Sequence, residues 1–322
     1  MFRKIFSVSI LFLLFSTYIY SLTWKDITFT AGASTDYYSG EVREIVYPGT
    51  GWTNNYLSEL IWQIDNIAIL NAHIGASLNK FSLNISAGTA LNKGTGEMDD
   101  YDWLDYTSAD WTNWSNSDIF LDKSFILDAS LTYSIKLNTN STIPVGIGYK
   151  LNYLNWSDAL RKLIYYWNPT TKLPNAPPLI FDYEGKEEAI NYIFVQNIPL
   201  ITVGISFRKK TVTGKINASY SPFIYAWDLD HHIMRGFFFL DTFNANHWYQ
   251  LKAEIAYNDR RKGKLFCSLQ FEELPEIKGD TSVYNEDPAD PTKTGTPAGS
   301  YKDAAGLASK ILTISIGYKY QF

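Results

Sequence analysis

The sequence predicts an all-β protein: a ten-stranded antiparallel transmembrane β-barrel with long extracellular loops. Three observations predict it. Long runs alternate between apolar and polar side chains, tight turns alternate with long loops, and beyond residue 21 no apolar stretch reaches the roughly 20 residues that a spanning helix needs. Hydrophobic residues make up 46% of the 322 and aromatic ones 16%, enough to clothe an outer surface as well as a core.

From the amino terminus, Arg3 and Lys4 precede an apolar run from Ile5 to about Ile19, and small Ser21 closes it, the order of an export signal. Residues 1–21 are therefore expected to be a signal peptide, and 22–322 a single barrel. The run contains Ser7, Ser9, Ser16 and Thr17 and is short for a membrane anchor. Removing 1–21 takes away Arg3 and Lys4 and no acid. That leaves 26 basic against 33 acidic side chains, a formal charge of −7, which disfavours nucleic acid and suits cationic partners.

Alternating runs place strands near 24–44, 57–78, 80–92, 122–136, 143–158, 189–208, 211–230, 247–259, 263–278 and 309–322, an even number that closes a barrel. In 125–136, Phe125, Leu127, Ala129, Leu131, Tyr133 and Ile135 alternate with residues that are polar except for Ile126. Tyr249, Leu251, Ala253, Ile255 and Tyr257 behave alike, as do Val145, Ile147, Tyr149, Leu151 and Tyr153. From Leu312 to Phe322 every even position is apolar or aromatic, and the terminal aromatic resembles the sorting signal of bacterial outer-membrane barrels. Tight turns fall at Asn79-Lys80, Asn138 to Ser141, Lys209-Lys210 and Asn258 to Gly263. Long loops fall near 45–56, 93–121, 159–188, 231–246 and 279–308. Short turns belong inside and long loops outside, so both termini are expected in the periplasm. The single cysteine, Cys267, cannot form an intramolecular disulfide and reads as an inert strand residue.

Function concentrates on loops held by a rigid scaffold. Of the four histidines, His73 lies mid-strand and reads as structural, whereas His231, His232 and His247 lie in or beside the fourth long loop. In extended chain Asp228, Asp230 and His232 project to one side, and an Asp beside a His fixes its tautomer and supports its charge, as a general base requires. His231 is the rival, projecting to the opposite side; the spacing favours His232. A second cluster holds Asp100 and Asp102, which again share a side. Two carboxylates held close cannot both ionise freely, so one is expected to keep a proton near neutral pH. Taken alone each cluster also fits a solvated acidic loop. The spacing lacks the twelve-residue pattern of a calcium loop, and adjacent histidines do not suit zinc.

The segment from Gly40 through Glu44 to Tyr47, continuing by Ser58-Glu59-Leu60-Ile61-Trp62 to Asn66-Ile67-Ala68-Ile69, resembles the first hairpin of the omptins. So do Met98 to Asp105, Gly148-Tyr149, Ala189 to Tyr192 with Pro199, the run from Tyr220-Ser221 to His232, and the Lys319 to Phe322 end. The resemblance covers essentially the whole mature chain, in order. It implies a ten-stranded outer-membrane barrel that cleaves peptides at paired basic residues in a groove above the outer leaflet. Basic peptides or host proteins would be its substrates and outer-membrane lipid its surroundings; it would need neither cofactor nor metal and act as a monomer. By that resemblance His232, oriented by Asp230, and Asp100 would hold and deprotonate a water, and Asp102 would stabilise the transition state. Glu44 and Asp228 would line the pocket for the arginine or lysine before the cut bond, where charge-assisted, partly bidentate bonds form.

Three features depart from the pattern. Asn113 stands where the better-known omptins carry an acid that contacts the residue after the cut. The lipopolysaccharide-binding tyrosine, glutamate and arginine correspond to Tyr149, Leu151 and Tyr153, so two of the three polar contacts to that lipid are gone. Asp228, Asp230 and His232 share parity with Ile216, Ala218 and Tyr220, the expected lipid side. A bulge, a strong twist or emergence above the membrane is therefore expected, with Pro222 as its marker. Arg235 and Phe237-Phe238-Phe239 fit a loop wall or a rim dipping into the membrane. Peptide hydrolysis at the cell surface is the leading function; a catalytically idle adhesin or host-protein-binding barrel is the alternative and a small pore the third.

Overall fold

The computed structural model describes residues 26–322 apart from 51, 53, 54, 106, 169, 246, 260 and 261. The expected signal peptide lies outside the described residues. The strands are β1 (Thr28–Val46), β2 (Ser58–Leu78), β3 (Phe81–Ala90), β4 (Glu97–Asp102), β5 (Asn113–Lys136), β6 (Ser141–Asn168) and β7 (Leu173–Asp182). They continue as β8 (Ile190–Lys209), β9 (Val212–Ser221), β10 (Ile224–His232), β11 (Phe237–Ala245), β12 (Trp248–Asn258), β13 (Gly263–Asp287) and β14 (Asp290–Gln321). All pair antiparallel in one 14-stranded sheet.

Ten of these strands close a ring among the described residues: β1, β2, β3, β5, β6, β8, β9, β12, β13, β14 and back to β1 through Thr30↔Gln321. Nine expected strands each fall on one of them and the tenth, 211–230, divides into β9 and β10; the tight turns fall where expected, with Asn79 and Lys210 taking positive φ of 54° and 55°. The long loops differ from expectation. Much of 93–121, 159–188, 231–246 and 279–308 is strand: β4 inserts between β2 and β5, β7 extends β6, β10 and β11 form a hairpin, and β13 and β14 run on together to Asp287↔Asp290. Pro, Asn and Asp signal turns in sequence, but backbone N–H and C=O groups stacked above a barrel still need partners, and neighbouring segments supply them.

The outer surface carries the expected apolar residues. Along β8, Ile201, Val203, Ile205 and Phe207 are exposed, whereas Tyr192 and Phe194 nearer the outer end are fully buried. Exposed Cys267 lies between the exposed Leu265 and Leu269 on this same outer face. Inside, polar side chains satisfy one another. Lys150 and Glu272 form a buried ion pair, Gln250 Nε2 and Gln270 Nε2 donate to Glu272 at 2.8 and 3.1 Å, and His73 Nε2 lies 2.9 Å from Ser34 Oγ. His73 is structural, as read. Above this lumen an aromatic floor closes the barrel: Trp62 stacks on Tyr192 at 4.8 Å between centroids, and Tyr192 on Trp156 at 6.0 Å.

The parity conflict resolves at Pro222. In β9 the odd residues Ser219 and Ser221 are buried and Ile216 faces out; in β10 the even residues Ile224, Ala226, Asp228 and Asp230 are buried. One residue has been inserted into the alternation between Ser221 and Ile224. Pro222 cannot donate to the ladder, and Ser221 Oγ lies 2.5 Å from the Pro199 carbonyl and 2.6 Å from that of Phe223, holding the break.

Candidate active site

Two hairpins above the lipid band bring the acidic clusters to one place. β4 pairs Asp100 with Leu60 and Ser115, and Asp102 with Ser58 and Asn113, so both carboxyls share the inward face. Ser58 Oγ donates to Asp100 Oδ1 at 3.0 Å. From the far wall, β10 presents Asp230, 1% exposed, whose Oδ2 lies 2.7 Å from His232 Nε2. Phe239 of β11 meets the His232 ring edge-on at 5.1 Å. Asp100, Asp102 and His232 line one cavity of about 230 Å³, large enough for several waters. Arg235, in the β10–β11 turn that Gly236 completes at a φ of 71°, borders this cavity.

Burial sets the charges here. It pushes the Asp100 carboxyl up, partly opposed by the positive charges of Arg235 and His232. Burial, and then the Asp100 charge, raise Asp102 to about 7. For His232, burial disfavours the imidazolium, but the charge and hydrogen bond of Asp230 outweigh it, and the pKa lies above 6.5. Burial and the Asp100 charge thus favour a protonated Asp102 near neutrality, in line with the expectation for two carboxylates held close.

The structure separates the two adjacent histidines. His231 turns to the outer hairpin, its Nε2 2.7 Å from Glu286 Oε1 and its ring stacked on Phe238 at 3.8 Å, while His232 faces the cavity. His247 lies 2.8 Å from the Tyr220 hydroxyl, away from the acids. Asn113 is 2% exposed, and its Oδ1 accepts from the Trp167 backbone N–H at 3.1 Å. Beside it a second cavity, of about 470 Å³, is lined by Asp102, Asn113, Tyr165, Trp167, Leu179 and Arg235.

Glu44 and Asp228 also converge, buried at 3% and 0% exposed, beside Asp230. Tyr192 donates its hydroxyl to Asp228 Oδ2 at 3.0 Å, tying this pocket to the aromatic floor. Burial raises Glu44 and Asp228 well above the usual carboxylate range, and neighbouring acids add to it. One further acid was missed in the sequence. Asp241 of β11 stands directly opposite Asp228 and is 3% exposed; burial raises it to about 7. Its signal was a lone charge within the apolar run Phe237 to Phe243, inside a segment read as loop.

The family model described as Omptin family matches residues 25–322. The chain is 26% identical over 299 residues to the plasminogen activator of Yersinia pestis, covering 92% of this chain and 90% of that one. It is 25% identical over 293 residues to the outer membrane protease OmpP of Escherichia coli strain K12, covering 88% and 87%. Its fold matches the crystal structure of the outer membrane protease OmpT from Escherichia coli with a TM-score of 0.80 at 22% identity, over 94% of this chain and 99% of that one.

Proposed function

Because this chain belongs to the omptin family, we propose that it is an outer-membrane protease that hydrolyses polypeptides after arginine or lysine, using a water held between Asp100 and His232. The carrying observation is the shared cavity: the Asp230-bound imidazole and the Asp100–Asp102 pair reach it from opposite walls. Asp230 occupies Nε2 of His232 and leaves Nδ1 to take a proton. The water oxygen attacks the scissile carbonyl carbon, its proton passes to His232 Nδ1, and negative charge builds on the carbonyl oxygen. Asp102, protonated below about 7, donates a hydrogen bond to that oxygen. Collapse then breaks the C–N bond, and the departing amine takes the proton from His232. No covalent intermediate forms.

The pocket of Glu44 and Asp228 receives the basic side chain before the cut. A guanidinium or ammonium there meets carboxylates that burial has deprived of water, and an uncharged side chain leaves them unpaired. The barrel sits in the outer membrane with this mouth facing outward.

A second reading, adhesion without catalysis, draws on β7, where Leu179, Ile180 and Phe181 are exposed on a strand with no partner on its far side among the described residues. Cleavage of a fluorogenic Arg-Arg or Arg-Lys peptide by the lipid-refolded protein separates the two. Activity persisting in both Asp100→Ala and His232→Ala would sink the mechanism, and no cleavage in any lipid would favour adhesion.

A further inference from the structure

The acid pocket contains more acceptors than one ammonium can use. Four carboxylate oxygens are buried without a hydrogen-bond partner: Glu44 Oε2 from β1, Asp228 Oδ1 and Asp230 Oδ1 from β10, and Asp241 Oδ1 from β11. Their sister oxygens on the three aspartates are engaged, Asp228 Oδ2 by Tyr192, Asp230 Oδ2 by His232 and Asp241 by the Thr281 hydroxyl. Among the described residues no lysine or arginine forms an ion pair with Glu44, Asp228 or Asp241. These orphans lie close together: Asp228 and Asp241 are cross-strand partners, and Glu44 feels the charges of Asp230, Asp228 and Asp241.

Such a cluster is costly unless a ligand completes it. An ammonium carries three N–H groups on one atom, so it leaves at least one of the four oxygens unmet. A guanidinium carries five, spread over a planar fork that reaches acceptors on separate strands. From this count we infer that Asp241 is a third specificity-determining acid of the pocket, and that it makes the protein select arginine over lysine before the cut bond. The inference rests on the reading of Glu44 and Asp228 as the pocket for that basic side chain. Asp241 touches the substrate side chain and takes no part in the bond-breaking steps.

The test compares kcat/KM for two peptides differing only by arginine or lysine before the cut, in the lipid-refolded parent and in Asp241→Asn and Asp241→Ala. The parent should prefer arginine, and both variants should lose about ten- to a hundredfold of that ratio, the range a charge-assisted hydrogen bond is worth. Cleavage of the lysine peptide should change far less. An unchanged ratio, or an equal loss on both peptides, would overturn the role of Asp241 while leaving the protease reading intact. A parent that cleaves neither peptide would instead remove that reading, and this inference with it.

Discussion

His232 Nε2 and Asp230 Oδ2 lie 2.7 Å apart, His232 at the wall of the cavity and Asp230 buried behind it, so the charge of the ring is governed by its neighbour two residues earlier. As the base, His232 must be neutral to accept a proton. Burial lowers its pKa, but Asp230 more than restores it, so kcat/KM should fall as pH drops through a value above 6.5. Asp230→Asn removes the raising partner. It should cost about 10²–10⁴-fold in kcat and move the acid limb of the pH profile downward. An acid limb that stays in place would take His232 out of the base role.

Asp102 gives a stability prediction with a definite sign. Its pKa is about 7 in the folded barrel, through burial and then the Asp100 charge, against 3.8 as a free side chain. Between these values the folded state binds more protons than the unfolded one, so this contribution is complete below the lower value and is lost as pH rises through the upper. Asp102→Asn should therefore melt at a temperature that drops less than the parent's between about pH 4 and about pH 8. Thermal melts of the refolded barrel followed by circular dichroism decide it; parallel curves would mean that the carboxyl is not buried in its charged form.

In the lumen, Lys150→Met leaves Glu272 buried without its cation. That single change should cost about 3–5 kcal/mol, while Lys150→Met combined with Glu272→Met should recover most of the loss. Urea unfolding in lipid vesicles measures both. A double variant no better than the single one would assign the cost to packing instead of charge.

The break at Pro222 predicts a deletion phenotype. Removing Phe223 takes out the extra residue, so the alternation runs unbroken from Ser221 to Ile224 with Asp228, Asp230 and His232 still on the inner face. The variant should keep cleaving peptide and refold as a barrel with unchanged heat-modifiable mobility on gels. Loss of cleavage in a folded barrel would show that the break does more than set which face of β10 points inward.

On the outer face, Tyr149 donates its hydroxyl to Asn197 at 2.6 Å, and Leu151 brings no charge. Without the two lost polar contacts, activity should be the same in phospholipid vesicles with and without added lipopolysaccharide. Strong stimulation by that lipid would reveal another binding surface.

The ring was legible because lipid on one side and polar neighbours on the other impose a period of two, and Leu312 to Phe322 carry it without interruption. The hairpins above it were not. Leu173 to Asp182 contains Pro174, Pro177 and Pro178, and Asp99 to Asp105 is rich in acid; both read as loop because their composition signals turns, whereas the first pairs with the end of β6 and Asp99 to Asp102 pair with β2 and β5. The spacing of Asp228, Asp230 and His232 was visible, and so was the conflict over which way they point. Asp241 stayed hidden because its partner Asp228 is set by a hairpin register that a loop reading discards.

The seam between β6 and β8 ends at Ser157↔Asn191; past that rung β6 pairs with β7 from Lys162↔Asp182, while the opposite edge of β8 carries β10 from Asn197 to Ile190. With β4 lining one side of the cavity and the end of β10 the other, the mouth is a slot instead of a funnel. A chain can be laid into a slot sideways, by its middle, with both flanks trailing into the medium. Such an opening accepts an exposed loop on a large folded target, and neither end of that target has to be threaded.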